Sequence, residues 1–342
     1  MARKLDNSCC LFGVKGLLKR TDVLRQEVAA LRKDRDGDPE HVHKTRVASR
    51  RLRVALELFG PCMPANLVDA WNKQIRRVTR KLRDPRDIDV QIDFLEQALG
   101  AIKNKRHRGG IKRLELRLRQ HRQELQEQVD KTVARLNERH VLAEMGQSLR
   151  KLRADFGKGE GDNSPVLYEL AGRTIKGRLK DMLAYEPCVH QPKQVEQLHA
   201  MRIAAKGLRY AMEVFEPLYG EQFKQPLKEM RKAQTLLGDV HDFDTWLSFL
   251  PQFLQQEKAR TIIYFGQAKP LAEVRPGIQR LTKYCRQHRD KCFKEFQNFW
   301  DQLTKDNAWP ALRQILGSQP KNAAKSSRQG GRGKPSLHPA SA

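Results

Sequence analysis

The sequence predicts an all-α protein built from two copies of one helical unit. Three observations carry this expectation. Leu, Ile, Val and Phe recur with helical spacing through most of the 342 residues, with no convincing alternating strand among them. Glycine and proline cluster between the periodic stretches, where helices end. An internal repeat in three ordered blocks divides the chain in two.

Taken in order, the periodicity predicts helices at about 16–33, 40–59, 66–83, 88–106, 110–140, 141–155, 165–185, 194–219, 221–237, 241–263 and 277–303. Residues 1–11 read as an N-terminal arm before a helical domain over 12–317. Phe156 to Pro165 (FGKGEGDNSP) has linker composition, and separates repeat one, about 12–155, from repeat two, about 166–317. From Ser318 onward there are five basic residues, no acidic one and almost nothing to bury, the composition of a disordered basic tail over 318–342.

The repeat is explicit. HKTRVASRRLRVALELF from His43 is answered by HAMRIAAKGLRYAMEVF from His199, 156 residues on. LRDPRDID from Leu82 is answered by LGDVHDFD from Leu237, and GIKRLELRLRQHR from Gly110 by GIQRLTKYCRQHR from Gly277. Chance rarely gives three matches in one order.

Charge comes next. Sixty-six Lys and Arg face 40 Asp and Glu, a formal net charge of +26 and a pI near 10.1. Such an excess attracts polyanions, and nucleic acid, anionic lipid and polyphosphate all fit it. No apolar run approaches the roughly 20 residues of a membrane span. The apolar stretch near the basic start is too short for a signal peptide, so a soluble cytoplasmic protein is expected. Cys9, Cys10, Cys62, Cys188, Cys285 and Cys292 show neither CxxC spacing nor a dense disulfide framework, which fits that compartment. Cys188 and His190 lack a second ligand pair, and Cys285 and Cys292 read as partly buried small apolar residues.

On a helical wheel His43, Arg46, Arg50, Arg53 and Glu57 form a stripe about 80° wide, with Ala48, Leu52, Ala55, Leu56 and Phe59 roughly opposite. The second copy repeats both faces, with His199, Arg202, Lys206, Arg209 and Glu213 against Ala204, Leu208, Ala211, Met212 and Phe215. Each stripe sets three cations and a histidine over about 15 Å of helix. Like charges at this spacing repel by a few tenths of a kcal/mol per pair, and a merely solvated face would mix its signs. The stripes therefore read as polyanion-binding. A second basic face follows in Lys73, Arg76, Arg80 and Arg83, thinned to Lys228 and Arg231 in the second copy. The repeated RQHR adds Arg119 and Arg122, matched by Arg286 and Arg289.

The acidic pairs Asp87 with Asp89 and Asp242 with Asp244 stand at i, i+2, on different sides of a helix, which is poor for shared acid–base work. They read as helix caps, or as salt-bridge partners that hold a binding arginine. One histidine per helix, with no ligand at i+4, makes no metal site. No cofactor is expected.

These residues resemble the CHAD family, the conserved-histidine α-helical domain, in its stand-alone form. Its mark, roughly His-x-x-Arg-[Val/Ile]-x-x-[Arg/Lys]-x-Leu-Arg, stands here as His43–Arg46–Val47–Arg50–Leu52–Arg53 and His199–Arg202–Ile203–Lys206–Leu208–Arg209. The Arg-Asp-x-Asp element follows as Arg86, Asp87, Ile88 and Asp89, with His241 in place of the arginine in the second copy. Gly207 and Gly238 stand where the first copy has Arg51 and Arg83, so the second copy is weaker. The resemblance implies two pseudo-twofold-related antiparallel bundles, tandem duplicated four-helix units, around a basic central cavity. It also implies non-catalytic binding of inorganic polyphosphate and association with polyphosphate granules.

Arginine suits that ligand because its planar fork grips phosphate oxygens. A nucleic-acid-binding helical protein is the alternative. Aromatics are only 7% and nearly absent from the stripes, which disfavours stacking on single strands. A phosphoryl-transfer or triphosphate-processing accessory role ranks third, because no GxxxxGK[ST] loop is present.

Overall fold

The computed structural model describes residues 5–34, 37–157 and 164–317. The linker's residues 158–163 and the tail over 318–342 lie outside the described residues. Among the described residues twelve α-helices follow one another: α1 (Asn7–Lys33), α2 (Pro39–Phe59), α3 (Ala65–Lys81), α4 (Arg83–Ala101), α5 (Lys105–Glu124), α6 (Gln126–Glu138), α7 (Val141–Asp155), α8 (Pro165–Leu183), α9 (Val195–Tyr219), α10 (Lys224–Phe265), α11 (Arg275–Lys305) and α12 (Ala308–Ile315). No strand occurs among the described residues, as the periodicity predicts.

Side-chain caps set several starts. The Asp6 carboxylate accepts from the Cys9 amide at 2.7 Å and begins α1. That start is earlier than expected, and α1 takes in residues 7–11 of the segment read as an arm because Cys9, Cys10, Leu11 and Phe12 are buried. Asp38, followed by Pro39, begins α2 and accepts from the Glu40 amide. Ser164 begins α8, and its hydroxyl also donates to Asp6 at 2.6 Å, so the first helices of the two repeats start against each other.

The repeats differ where the chain turns. Pro85 has no amide hydrogen and its ring crowds the carbonyl four residues back. The first copy accordingly breaks at Leu82, between α3 and α4. The second copy has Val240 there, and the two helices expected over 221–237 and 241–263 fuse into the 42-residue α10. Glycine at 238 weakens a helix without stopping it. The helix expected over 110–140 divides at Leu125 into α5 and α6, whereas its counterpart α11 runs unbroken for 31 residues.

Two apolar clusters result, and neither belongs to one repeat. The larger gathers α1, α2, α3, α6, α7, α8, α9 and α12 with the start of α10 and the end of α11. The smaller joins α4 and α5 to the end of α10 and the start of α11. At about 1.5 Å per residue α10 runs for roughly 60 Å and threads both clusters. The expectation of one bundle per repeat is therefore refined: each core is shared by both copies.

Equivalent residues of the two copies meet. Phe59 and Phe215 lie 5.9 Å apart between ring centroids, with Phe12 closing the cluster. Gly110 and Gly277 abut: a Cβ on Gly110 would stand 2.0 Å from the Val274 carbonyl oxygen, and one on Gly277 2.3 Å from that of His107 and 3.0 Å from the Gly110 Cα. Only glycine permits this approach of α5 and α11. Contacts also cross reciprocally. Arg178 on α8 binds Glu57 at 2.6 Å, and Arg20 on α1 reaches the carbonyl of Glu213 at 3.4 Å.

No dense disulfide framework is expected, and a single bond among the described residues joins Cys10 and Cys62, between α1 and the turn after α2. Their separation of 52 residues carries no sequence signature. Cys9, Cys188, Cys285 and Cys292 are free, and burial raises their thiol pKa values. Replacing Gly110 or Gly277 with Ala is expected to destabilise the fold by about 2–3 kcal/mol, because backbone atoms stand in the way. A thermal midpoint equal to the parent's would show that α5 and α11 are free to move apart.

Candidate anion-binding seam

α2 and α9 lie side by side with their apolar faces in the larger cluster; Leu52, Leu56, Phe59, Leu208, Met212 and Phe215 are buried. That burial fixes both helices in rotation and turns the two basic stripes toward each other. Arg50 donates to the Tyr210 hydroxyl at 3.4 Å across the seam, and the Arg209 guanidinium sits 4.6 Å from the same ring's centroid. Tyr210 thus separates two cations that would otherwise meet. The sequence reading missed it, because the first copy has Val54 there.

The electrostatics show how closely the stripes converge. Lys206 is crowded by Arg202 and Arg209 of its own helix and by Arg50 and Arg46 of α2. Burial first, and those charges second, push its pKa from 10.5 down to about 7. Burial and neighbouring cations also act against the charges of Arg46 and Arg53. Arg53 feels Arg76 of α3, and Arg46 feels Arg83 of α4, so the second basic face borders the same seam. The Nε atoms of Arg46, Arg53 and Arg202 are buried without a hydrogen-bond partner. Among the described residues no carboxylate comes within ion-pair distance of Arg46, Arg50, Arg53 or Lys206, as the unbalanced stripe suggests.

Both stripe histidines are half-buried. His43 is held below its ordinary pKa by burial and then by Arg86. His199 packs on His241, with Nδ1 atoms 3.0 Å apart, and burial with nearby cations pushes His241 down to about 4. Burial and then Arg202 also hold His199 below its ordinary value, and at 3.0 Å one Nδ1 of the pair donates to the other. His241 takes the place of Arg86, the one signal in the sequence that pointed to it.

Several expected ligand residues are already engaged. Glu213, nearly buried, binds Arg51 at 3.2 Å and Arg209 at 2.9 Å and has Arg231 at 3.9 Å. It gathers the end of the seam into a neutralised knot. Arg83 pairs with Asp87 at 3.4 Å, and Arg202 stands 4.0 Å from Asp242. Lys73, Arg76 and Arg80 are exposed along α3, and Lys228 along α10.

Three of the four RQHR arginines are engaged elsewhere. Arg122 binds Asp89 at 2.6 Å, and its counterpart Arg289, 6% exposed, binds Asp244 at 2.9 Å and the Pro192 carbonyl. Arg119 is occupied by Glu115 and Glu96, and Arg286 is an exposed residue of α11. Asp89 and Asp244 lie inside helices, so they are no caps; their salt bridges hold packing arginines rather than ligand-facing ones. The first Asp of each pair faces the seam and the second the core, as i, i+2 spacing requires.

A separate cavity of about 670 Å³ opens on the α1 flank of α2. It is lined by His43, Arg51 and Arg231 among the expected ligand residues, and α1 adds Lys15, Lys19 and Arg20. Among the described residues no three His, Cys, Asp or Glu side chains group as a metal site. His190 bonds Gln297 at 2.6 Å and lies 3.3 Å from Asp301.

The lowered Lys206 pKa has a consequence for stability. Between about pH 7 and pH 10 the unfolded chain keeps a lysine proton that the folded chain has released, so stability rises with pH across that window. Lys206→Met is expected to flatten the rise. Urea midpoints of parent and variant measured at both ends of the window check this, and parallel pH profiles would contradict it.

A family model of the CHAD domain matches residues 15–251, more than half of the chain. No curated protein matches significantly. Among solved structures, the CHAD domain from the plant Ricinus communis superposes with a TM-score of 0.57 at 23% identity, covering 82% of this chain and 95% of that one, a likeness of fold. The doubled His-x-x-Arg helix and the all-α architecture thus come together with the family match: the chain belongs to the CHAD domain family, known generally for association with polyphosphate or triphosphate.

Proposed function

We propose that the chain binds inorganic polyphosphate in the seam between α2 and α9, without catalysing a reaction on it, and that it associates with polyphosphate granules in the cytoplasm. The observation that carries this reading is the convergence of Arg46, Arg50, Arg53, Arg202 and Lys206, with no carboxylate among the described residues within ion-pair distance of Arg46, Arg50, Arg53 or Lys206, crowded enough to push Lys206 down to about 7. Such a site is electrostatically incomplete, and an extended anion completes it. Polyphosphate offers evenly spaced charge and no bases, which matches rows of cations that carry almost no aromatic side chain for stacking.

The meeting of Phe59 with Phe215 and of Gly110 with Gly277, and the reciprocal contacts of Arg20 and Arg178, support a pseudo-twofold relation between the copies. An axis through those pairs would place one stripe on each side of a linear ligand. Arg76, Arg80 and Lys73 would extend the track along α3. Arg51, Arg209 and Arg231, tied to Glu213, would shape its end.

Replacing Arg46, Arg50, Arg202 and Lys206 together with Ala is expected to weaken binding of long-chain polyphosphate by at least roughly a hundredfold while leaving helical circular dichroism intact. For the parent protein, a tenfold rise in salt should lower affinity by a similar factor, on the order of a hundredfold, through counterion release. Tight binding by the quadruple variant would move the site elsewhere. Duplex DNA that displaces polyphosphate at equal phosphate concentration would favour the nucleic-acid reading instead.

A further inference from the structure

α10 ends in Ile262, Ile263, Tyr264 and Phe265 before the left-handed Gly266. These four consecutive side chains are exposed at 42%, 85%, 82% and 53%, while the other exposed large apolar residues among those described stand singly. Single exposed apolar residues need no account, but a contiguous protruding group marks an interaction site. Tyr264 and Phe265 lean on each other, with ring centroids 4.8 Å apart.

The surroundings are predominantly positive. The start of α5 and the short turn Lys269–Glu273 close this end of the smaller cluster, where Gly110 meets Val274. Residues 101–113 hold six Lys or Arg and no acid, and residues 257–275 hold four against two acids. One of those acids, Glu257, is 2% exposed and already bound by Arg113, Arg117 and Arg260. Lys103, Lys105, Arg106, Lys258, Lys269 and Arg275 are exposed around the tip.

We propose that this tip is a peripheral anchor for anionic lipid bilayers, with Ile263, Tyr264 and Phe265 entering the headgroup–acyl boundary and the surrounding cations meeting anionic headgroups. The positive rim opposes a second copy at the same place, since two such tips repel. A convex apolar tip with aromatic rings and flanking Lys and Arg is the chemistry of an interfacial anchor. No helix among the described residues is long and apolar enough to cross a membrane, so the contact is superficial. The tip lies about 30 Å along α10 from His241, so it does not depend on the polyphosphate seam.

The test uses vesicles of equal parts phosphatidylcholine and phosphatidylglycerol. Tyr264→Trp places an indole at the tip, while Trp71, Trp246, Trp300 and Trp309 are all buried. Vesicles with brominated acyl chains should quench the new tryptophan and leave the parent's emission unchanged. The double variant I263S/Y264S should bind the anionic vesicles roughly tenfold more weakly than the parent, with unaltered helicity. Equal binding by that variant, or no quenching in the Trp variant, overturns the proposal and leaves only charge attraction. A parent that dimerises where I263S/Y264S is monomeric overturns it too, and makes the tip an interface between copies.

Discussion

The structure turns on a repulsion that the fold sustains. Arg46, Arg50, Arg53, Arg202 and Lys206 would separate if their helices were free to rotate, because like charges this close in a partly desolvated seam oppose one another. Rotation is forbidden by the opposite faces of the same helices. Leu52, Leu56 and Phe59 on α2 and Leu208, Met212 and Phe215 on α9 are locked into one apolar cluster, and exposing any of these side chains would cost about 1.5–3 kcal/mol. Glu213 neutralises Arg51, Arg209 and Arg231 at the end of the seam rather than its centre. The arrangement keeps positive charge concentrated where a linear anion can use it.

Packing and salt bridges divide this work. Asp89 with Arg122 and Asp244 with Arg289 stand near the junction of the two clusters and join α4 to α5 and α10 to α11. Breaking such a pair would strand a buried charge, which is strongly destabilising even where the intact pair contributes little. These arginines share the basic character of the stripes but serve the frame. Sequence spacing cannot separate the two roles, because both place an arginine on a helix near an aspartate. The separation depends on which carboxylate the tertiary fold brings close.

Much of the design was nevertheless legible in the sequence. The duplication, the helical class and the composition of both stripes follow from His43–Phe59 and His199–Phe215, since a stripe opposite an apolar face must turn outward once that face is buried. The fusion of two expected helices into α10 follows from Val240 at the place of Pro85, a difference visible in the second block but outweighed by Gly238. Other features depend on contacts between distant segments. Tyr210 between Arg50 and Arg209, the Cys10–Cys62 disulfide and the close approach of Gly110 to Gly277 have no local signature, and the exchange of Arg86 for His241 marks that residue without showing that it meets His199. The two shared cores were hidden for the same reason, because a repeat in sequence does not say which copy covers which face.

The central claim is that a phosphate polymer lies between α2 and α9. The most direct measurement is a crystal structure of the chain grown with polyphosphate. The account predicts phosphorus density along the seam, within hydrogen-bond reach of Arg46, Arg50, Arg202 and Lys206. Density confined to the Lys73–Arg80 face or to the tip of α10, with the seam empty, would contradict it.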